Sequence, residues 1–559
     1  VHATFFLMGK NIRGNEEIVT QMQRDGHLIG NHTYDHVQLD KLPGDQQFAQ
    51  PDLKGTARFM SMGGAFGALG GDMTCLSYNP GGIGVYRNND IGFTLDLDAQ
   101  QSKGTSRGVS RTQSNTPFYL NNAGVIFTVR NQGALRNVNL GFTYNKTSSF
   151  NRRFRGVVPE LNASISQYMA ALANGGEATI NDMTPTSTFN PYNPQDGGYQ
   201  APWASILGYS AHFIAPRNLS DGKVHWEGQF GDGTTGSGYY KVQDKGSQDE
   251  YNIAFGGNIN NILYWGMDFG IIDFSYQRKS MWGEDLNDAY VNIPDVYSGQ
   301  TDSHTQLYNN YRVTGTGFNY KLGFILKPIQ ELRIGFAMHT PTWYSLEQSF
   351  YARAQGNYAN NQYSYDKITN EGFDAIYDYR FRTPWRFIAS IAGVLSNRFI
   401  ISADYEWANY KYCHFTDKYS DEWLNGDPYE YTNSDIKDMY QSTNTLRIGV
   451  EARLSRNVSL RAGYALQSAP VKSEYRENQQ EVYTDGARLD YTLDDRTYYI
   501  TGGLGFHHKG FYTDLAYVYK NRQSEFHPFP ADIKNADLCP SARITSANHQ
   551  IVLTMGYKF

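Results

Sequence analysis

From Asp90 onward the chain is written in a period of two, and that pattern commits most of it to β-strand. In Thr445–Leu454 the even positions Leu446, Ile448, Val450, Ala452 and Leu454 are apolar, while the odd ones are polar or Gly. Val458, Leu460, Ala462, Tyr464 and Leu466 repeat the rule against Ser459, Arg461, Gly463, Ala465 and Gln467. Leu332, Ile334, Phe336 and Met338 alternate with Arg333, Gly335, Ala337 and His339. Each such strand has one apolar and one polar face.

The spacing predicts fourteen strands, near 90–99, 122–131, 137–147, 249–259, 262–280, 311–327, 332–350, 373–394, 399–416, 443–454, 458–470, 497–507, 511–525 and 547–559. Links from an even strand to the next odd one are tight, as at Lys327-Pro328-Ile329-Gln330, Ser396-Asn397-Arg398 and Ser455-Arg456-Asn457. Links from an odd strand to the next even one are long. A two-sheet sandwich has no reason to sort its loops by parity. A closed outer-membrane barrel does, with short periplasmic turns and long external loops. The expected fold is therefore all-β, a 14-stranded antiparallel transmembrane barrel.

Composition fits this reading. Aromatic residues make up 15% of 559 residues, and charged residues reach only 19% against the roughly 25% usual in soluble domains. No run approaches about 18 apolar residues, so a spanning helix is excluded, whereas alternating strands average out as polar. A net charge of −6 without long basic runs favours neither nucleic acid nor anionic lipid as a partner. Cys75, Cys413 and Cys539 are odd in number, far apart and without metal-site spacing, and read as incidental thiols.

Residues 1–39 read as strand, helix and loop, ending in Asn31-His32-Thr33-Tyr34-Asp35-His36. Histidines four apart can face one cation. Together with Ala3-Thr4-Phe5-Phe6-Leu7-Met8-Gly9 and Gly26-His27, this stretch resembles the NodB-type polysaccharide deacetylases, whose metal-binding histidines His32 and His36 match. The resemblance implies a divalent metal such as zinc only if the fragment is complete. The family's Asp-Asp motif, supplying the base and a third ligand, falls before residue 1. Two ligands without a base cannot generate and deliver hydroxide. Residues 1–45 are thus expected to be an incomplete, non-enzymatic fragment with no cofactor.

Residues 46–89 are rich in small side chains, from Gly55-Thr56-Ala57-Arg58-Phe59-Met60-Ser61-Met62-Gly63-Gly64-Ala65-Phe66-Gly67 to Asn79-Pro80-Gly81-Gly82. The glycines fit no phosphate-binding spacing. Followed by fourteen strands, this wording resembles the FadL family of outer-membrane transporters of hydrophobic compounds, its Bacteroidota branch in particular. The resemblance implies a hatch inside the barrel, with Gly63, Gly64, Gly67, Asn79, Pro80 and Gly81 as its motif. It implies long-chain fatty acids or other hydrophobic small molecules as ligands, with outer-membrane lipid and the barrel-insertion machinery as partners.

The barrel is expected over 90–559, with a helical external loop at 148–248. Leu161, Ile165, Tyr168 and Leu172 recur at helical spacing up to Gly175-Gly176, and Trp203, Ile206 and Leu207 follow Pro202. These residues either form an apolar landing site or pack on one another over the mouth. Arg333, Arg447, Arg453 and Arg461 fall on the polar faces and are candidates for holding a ligand carboxylate. Competing readings are a deacetylase carried on a barrel and a general porin or structural barrel.

Overall fold

A computed structural model describes residues 4–7, 28–31, 50–192, 201–218, 224–372, 374–396, 398–418, 429–477, 482, 487–530 and 540–559. Fourteen strand positions close one antiparallel barrel. They are β1 (Asp90–Ser106), β2 (Phe118–Arg130), β3 (Leu135–Ser149, resuming as Arg152–Val158), β4 (Thr235–Ile259), β5 (Leu263–Ile293), β6 (Tyr297–Leu326) and β7 (Leu332–His339, resuming as Trp343–Tyr358). There follow β8 (Ala375–Arg382, then Arg386–Leu395), β9 (Phe399–Asn409, then His414–Asp417), β10 (Ser442–Arg453), β11 (Val458–Gln467), β12 (Tyr491–His508), β13 (Phe511–His527) and β14 (Ala542–Lys558). β14 pairs with β1 from Lys558↔Asp90 to Arg543↔Thr105 and completes the cylinder. Pro341 and Pro384 sit where β7 and β8 are interrupted, since proline cannot donate to a ladder.

The alternation maps as expected. Ile91 and Phe93 on β1, Leu446, Ile448 and Val450 on β10, and Ile551 and Tyr557 on β14 are exposed, whereas the intervening Thr94, Thr445, Glu451 and Thr554 are buried. Apolar outside and polar inside is the reverse of a water-soluble barrel. Tight turns use left-handed residues, Asn260 and Asn261 between β4 and β5 and Lys509-Gly510 between β12 and β13.

Strand lengths exceed the sequence expectation at the other end. β4 begins at Thr235 rather than near 249, β5 runs to Ile293 rather than 280, and β6 starts at Tyr297 rather than 311. There the outward face is polar, so the period-two signal fades although the pairing continues. Accordingly, 148–248 is not wholly a helical loop. Its two ends are strand extensions, and helices occupy only its middle. Near the N-terminus, Thr4–Leu7 and Leu28–Asn31 form a parallel pair.

Candidate functional site

Residues 50–86 run through the lumen, touching the wall with their own backbone. α1 (Ala57–Ser61) is capped by Thr56, and α2 (Cys75–Tyr78) leads into a 3-10 turn at Pro80–Val85. The Thr56 hydroxyl donates to Asp72 at 2.7 Å, and the Thr56 N–H donates to Thr74 Oγ1 at 2.8 Å, closing the segment on itself. Wall side chains then meet its amides. Ala57 N–H donates to Thr554 at 2.7 Å, Gly63 N–H to Thr501 at 3.1 Å, and the Phe66 and Gly67 N–H groups both donate to Asp404, at 2.9 and 2.8 Å. Asn79 donates to the Gly67 carbonyl at 2.5 Å and accepts from Gly81 N–H at 3.0 Å. Each such bond contributes on the order of 1 kcal/mol, and leaving its buried partner unpaired costs more.

Approach this close needs missing side chains on both surfaces. A Cβ at Gly63 would lie 2.9 Å from the Tyr464 backbone, and one at Gly67 would lie 2.0 Å from Ser390 Oγ. The wall answers with its own glycines. A Cβ at Gly266 would meet the Pro80 carbonyl at 2.0 Å, at Gly335 the Gly67 carbonyl at 2.2 Å, at Gly449 the Met62 carbonyl at 2.4 Å, and at Gly463 the Gly63 nitrogen at 2.2 Å. A Cβ at Gly323 would meet Asn79 Oδ1 at 2.0 Å, and one at Gly81 would meet the Gly323 backbone at 2.8 Å. These wall glycines escaped sequence reading. Their signal is a Gly on the inward parity of β5, β6, β7, β10 and β11.

The lumen arginines already have partners. Arg447 donates to the Tyr78 hydroxyl at 2.8 Å and to Glu406 at 2.8 Å, and Arg386 also pairs with Glu406. Arg461 bridges Glu451 at 2.7 Å and Asp514 at 2.5 Å, while Arg58 from α1 reaches Glu451 at 3.4 Å. Arg333 donates to the Leu69 carbonyl at 2.8 Å. Arg453, with no such tie among the described residues, lines a cavity of about 230 Å³ at the short-turn end with Arg58, Asp72, Asp514 and Lys558. Sequence parity put these side chains in the lumen, and the structure spends three of them on fixing the segment and wall.

Above the segment lies a chamber of about 90 Å³. Leu53, Phe59 and Tyr78 form its floor, and Lys146, Glu250, Lys321, His339, Tyr344 and Arg386 stand around it. Asn145, Lys146 and Thr147 of β3 also line it, and here the wall is incomplete. β2 pairs with β3 only from Asn122↔Asn145 to Arg130↔Asn137. Beyond that point Phe118–Asn121 and Lys146–Ser149 are not partners, although β2 stays paired with β1 up to Leu97↔Phe118. On its other side β3 shifts register at Gln248/Asp249 of β4 and breaks at Phe150 and Asn151. Its continuation pairs again with β4 from Arg152↔Asp244 to Val158↔Gly238, and the Arg152 side chain points inward, reaching Asp494 of β12 at 3.5 Å and Ser524 of β13 at 3.2 Å.

The gap has specific ties. Asp52 N–H donates to the Thr147 carbonyl at 3.0 Å, and the Tyr119 hydroxyl accepts from both Ser149 Oγ and Asn151 Nδ2 at 2.8 Å. Phe118 and Leu120 are exposed on the outer side, level with the exposed Leu97 of β1. On its β1 and β2 side the break in pairing is therefore level with exposed apolar residues.

The long-loop end is filled by an apolar core. α3 (Ile165–Gly175) starts at a Ser164 capping box with Gln167, and α4 (Trp203–Ser210) starts after Pro202. Leu161, Ile165, Trp203, Ile206 and Leu207 are buried, with Tyr168 and Leu172 partly so, against wall aromatics such as Phe154, Phe274, Tyr344, Phe381 and Phe526. Of the two sequence readings, the packed one describes these side chains as they stand. Glu284 of β5 accepts from Ile165 N–H and from Trp282 Nε1 at 2.8 and 2.7 Å, and from the Ser164 hydroxyl. Burial pushes the Glu284 carboxyl up, against the pull of those donors. Burial likewise holds His212 and His527 down at about 4.

His32 and His36 lie outside the described residues, as does Cys539. Cys75 and Cys413 are buried. No group of three metal-ligating side chains occurs among the described residues.

Two sets of known proteins resemble the chain. The polysaccharide deacetylase family matches residues 1–58. A peptidoglycan-N-acetylglucosamine deacetylase of Bacillus cereus is 48% identical over 46 residues, 8% of this chain and 17% of that protein. Chitin deacetylase 2 of Saccharomyces cerevisiae is 43% identical over 49 residues, 9% of this chain and 16% of that protein. The chain thus spans about a sixth of the length of these curated relatives. Among solved structures, a FadL homologue of Pseudomonas aeruginosa aligns over 91% of this chain and 99% of its own at 11% identity and a TM-score of 0.49. The toluene transporter TodX of Pseudomonas putida aligns over 91% and 99% at 13% identity and a TM-score of 0.46.

Proposed function

We propose that the protein is an outer-membrane carrier of hydrophobic small molecules, which pass from the long-loop end to the mid-lumen chamber and leave sideways between β2 and β3. The observation that carries this reading is the unpaired stretch Phe118–Asn121 opposite Lys146–Ser149, at the depth of the exposed apolar residues and continuous with the chamber lining. An unpaired strand edge facing hydrocarbon is costly, so its retention at this depth favours a functional opening. The inner segment is a hatch in this scheme. It closes the straight route to the short-turn end through the Asp404, Thr501 and Thr554 bonds, leaving the side route. A porin has no use for a segment bonded so extensively across its lumen. Long-chain fatty acids are one ligand class of suitable polarity, because Lys146, Lys321 and Arg386, each paired with a wall carboxylate that a head group would have to share, line the chamber beside the apolar Leu53 and Phe59.

The test is to block the opening. Leu120→Cys, coupled to a bulky maleimide in a chain lacking Cys539, is expected to stop uptake of a fluorescent fatty acid and of a hydrocarbon probe into vesicles. The same label on Leu446→Cys, on the lipid face of β10, leaves uptake intact. Equal uptake with both labels would sink the lateral route.

A further inference from the structure

The outer surface of the barrel carries a basic patch where it emerges from the apolar belt. On β4, Lys241 and Lys245 are exposed. β3 places Arg155 opposite Lys241 and Arg153 opposite Gln243, β5 places Lys279 opposite Gln243, and β6 places Arg312 opposite Gln277, itself the partner of Lys245. All six share the face that bears Tyr251, Ile271 and Phe318 lower down. Five are exposed and Arg153 is partly buried against the neutral amide of Gln243. None of the six has a carboxylate partner among the described residues. With strands about 4.8 Å apart, six positive charges fall within a field roughly 15 Å wide.

That arrangement is costly unless an anion lies over it, since like charges on adjacent strands repel. Of the acids on the same face, Asp249 and Asp273 stand lower on the wall, with Asp249 already taken by Lys146 and the Tyr144 hydroxyl; Asp285 stands higher against His304, and Glu347 of β7 lies opposite Thr314 at the edge of the field, so the six cations still outnumber the acids among them. The height of the patch identifies the anion. Tyr251 marks the edge of the apolar belt on β4, and for a rise of about 3.4 Å and a tilt of about 40° Lys245 and Lys241 stand roughly 15 and 26 Å beyond it. This is above the acyl chains, among the saccharides of an outer leaflet. Tyrosines alternate with the cations there. Tyr239 accepts from Gln306 at 2.9 Å, Gln306 accepts from Tyr308, and Tyr351 lies opposite Asn310, offering flat apolar faces with polar tips.

We infer that this outer face of β3 to β6 docks the phosphorylated core saccharide of the surrounding outer-leaflet glycolipid, with Lys241, Lys245, Lys279, Arg153, Arg155 and Arg312 holding phosphate. Arginine and lysine supply charge-assisted bonds to phosphate oxygens. The whole-chain charge of −6 argues against anionic partners, but it averages over this field and hides it. The inference rests on the outer-membrane reading, because the saccharide reaches the patch only if the apolar belt is in lipid.

The test uses the full chain in detergent micelles, with lipopolysaccharide of phosphorylated core as the probe. The variant Lys241→Ser, Lys245→Ser, Lys279→Ser, Arg312→Ser removes four exposed side chains, and Lys103→Ser, exposed on β1, is the control. The quadruple variant is expected to bind the probe about tenfold more weakly, with added salt erasing the difference, and the control to bind as the parent does. Equal binding by parent and quadruple variant overturns the inference. So does equal binding of a glycolipid lacking the core phosphates, or a preference for a soluble acidic peptide over the glycolipid. Heat-modifiability in vesicles is read in parallel. A chain that never inserts refutes the membrane reading, whereas an inserted chain indifferent to core phosphate refutes only this one.

Discussion

Arg447 on β10 holds Tyr78 in two ways, donating to its hydroxyl at 2.8 Å and stacking its guanidinium on the ring at 5.1 Å from the centroid. Tyr78 is the last residue of α2, so this wall side chain fixes the inner segment where it meets the chamber floor. Arg447→Met leaves Glu406 with Arg386 as its remaining cation and frees the tyrosine hydroxyl. Breaking such buried ties costs a few kcal/mol at most when one partner survives. The expected outcome is an intact barrel whose small-ion current in planar bilayers rises and becomes noisier than the parent's. An unchanged current would show that the segment is held without this pair.

The glycine contacts predict a sharper effect. Gly335→Val drives a side chain into the Gly67 carbonyl, and Gly463→Val into the Gly63 nitrogen, with no flexible atom to yield. Both variants are expected to insert and to show heat-modifiable bands, while the inner segment becomes cleavable by protease added at the short-turn side. Gly393→Val, also on the wall but with open space around its Cβ, should behave as the parent does. Equal protection in all three variants counts against a snug segment.

Glu284 anchors the start of α3. Glu284→Ala removes the acceptor shared by Ile165 N–H, the Ser164 hydroxyl and Trp282 Nε1, leaving buried donors unpaired at about 1–3 kcal/mol each. Amide exchange over Ile165–Gly175 is expected to accelerate while exchange in the spanning part of β5 stays slow. Glu284→Gln keeps acceptor capacity and should fall between.

Acid should loosen the same end. His527 is fully buried, stacked on Tyr491 at 4.7 Å, with Glu525 3.5 Å away, and burial lowers it to about 4. Unfolded, it titrates near 6.5. Its neutral form costs nothing extra above pH 6.5, and a penalty grows as pH falls from 6.5 to about 4, then levels off once both states are protonated. Protease sensitivity of the long-loop end is expected to rise across that interval. His527→Phe, which keeps the stack, should flatten the rise.

The barrel was legible because hydrocarbon outside imposes apolar residues at every second position, and parity of loop length then excluded a sandwich. Strand ends were not, since Thr235–Gln248 and Phe274–Ile293 leave the apolar belt and lose the outward half of the pattern. The inward position of Arg333, Arg447 and Arg461 followed from alternation. Their partners did not, because Leu69, Glu406 and Asp514 are brought to them only by closure of the cylinder. Asn79 entered only through the hatch motif, and its bond from the Gly81 N–H is local enough for a short Asn-Pro-Gly stretch to make. Its second bond, to the Gly67 carbonyl, depends on the fold of the whole segment. The break between β2 and β3 had no sequence signal, since a missing pairing leaves each strand's own pattern intact.

β5 continues from Ile271 at the belt edge to Ile293, roughly 70 Å of strand at about 3.3 Å per residue. One sheet thus passes through two solvents. In its lower half stability comes from hydrocarbon pressing on the outside, and in its upper half from an oily interior shielded from water by the same strands. Urea in the aqueous phase attacks only the second arrangement. The outer crown should therefore melt first and reversibly, as a soluble domain does, while the hoop beneath it stays shut.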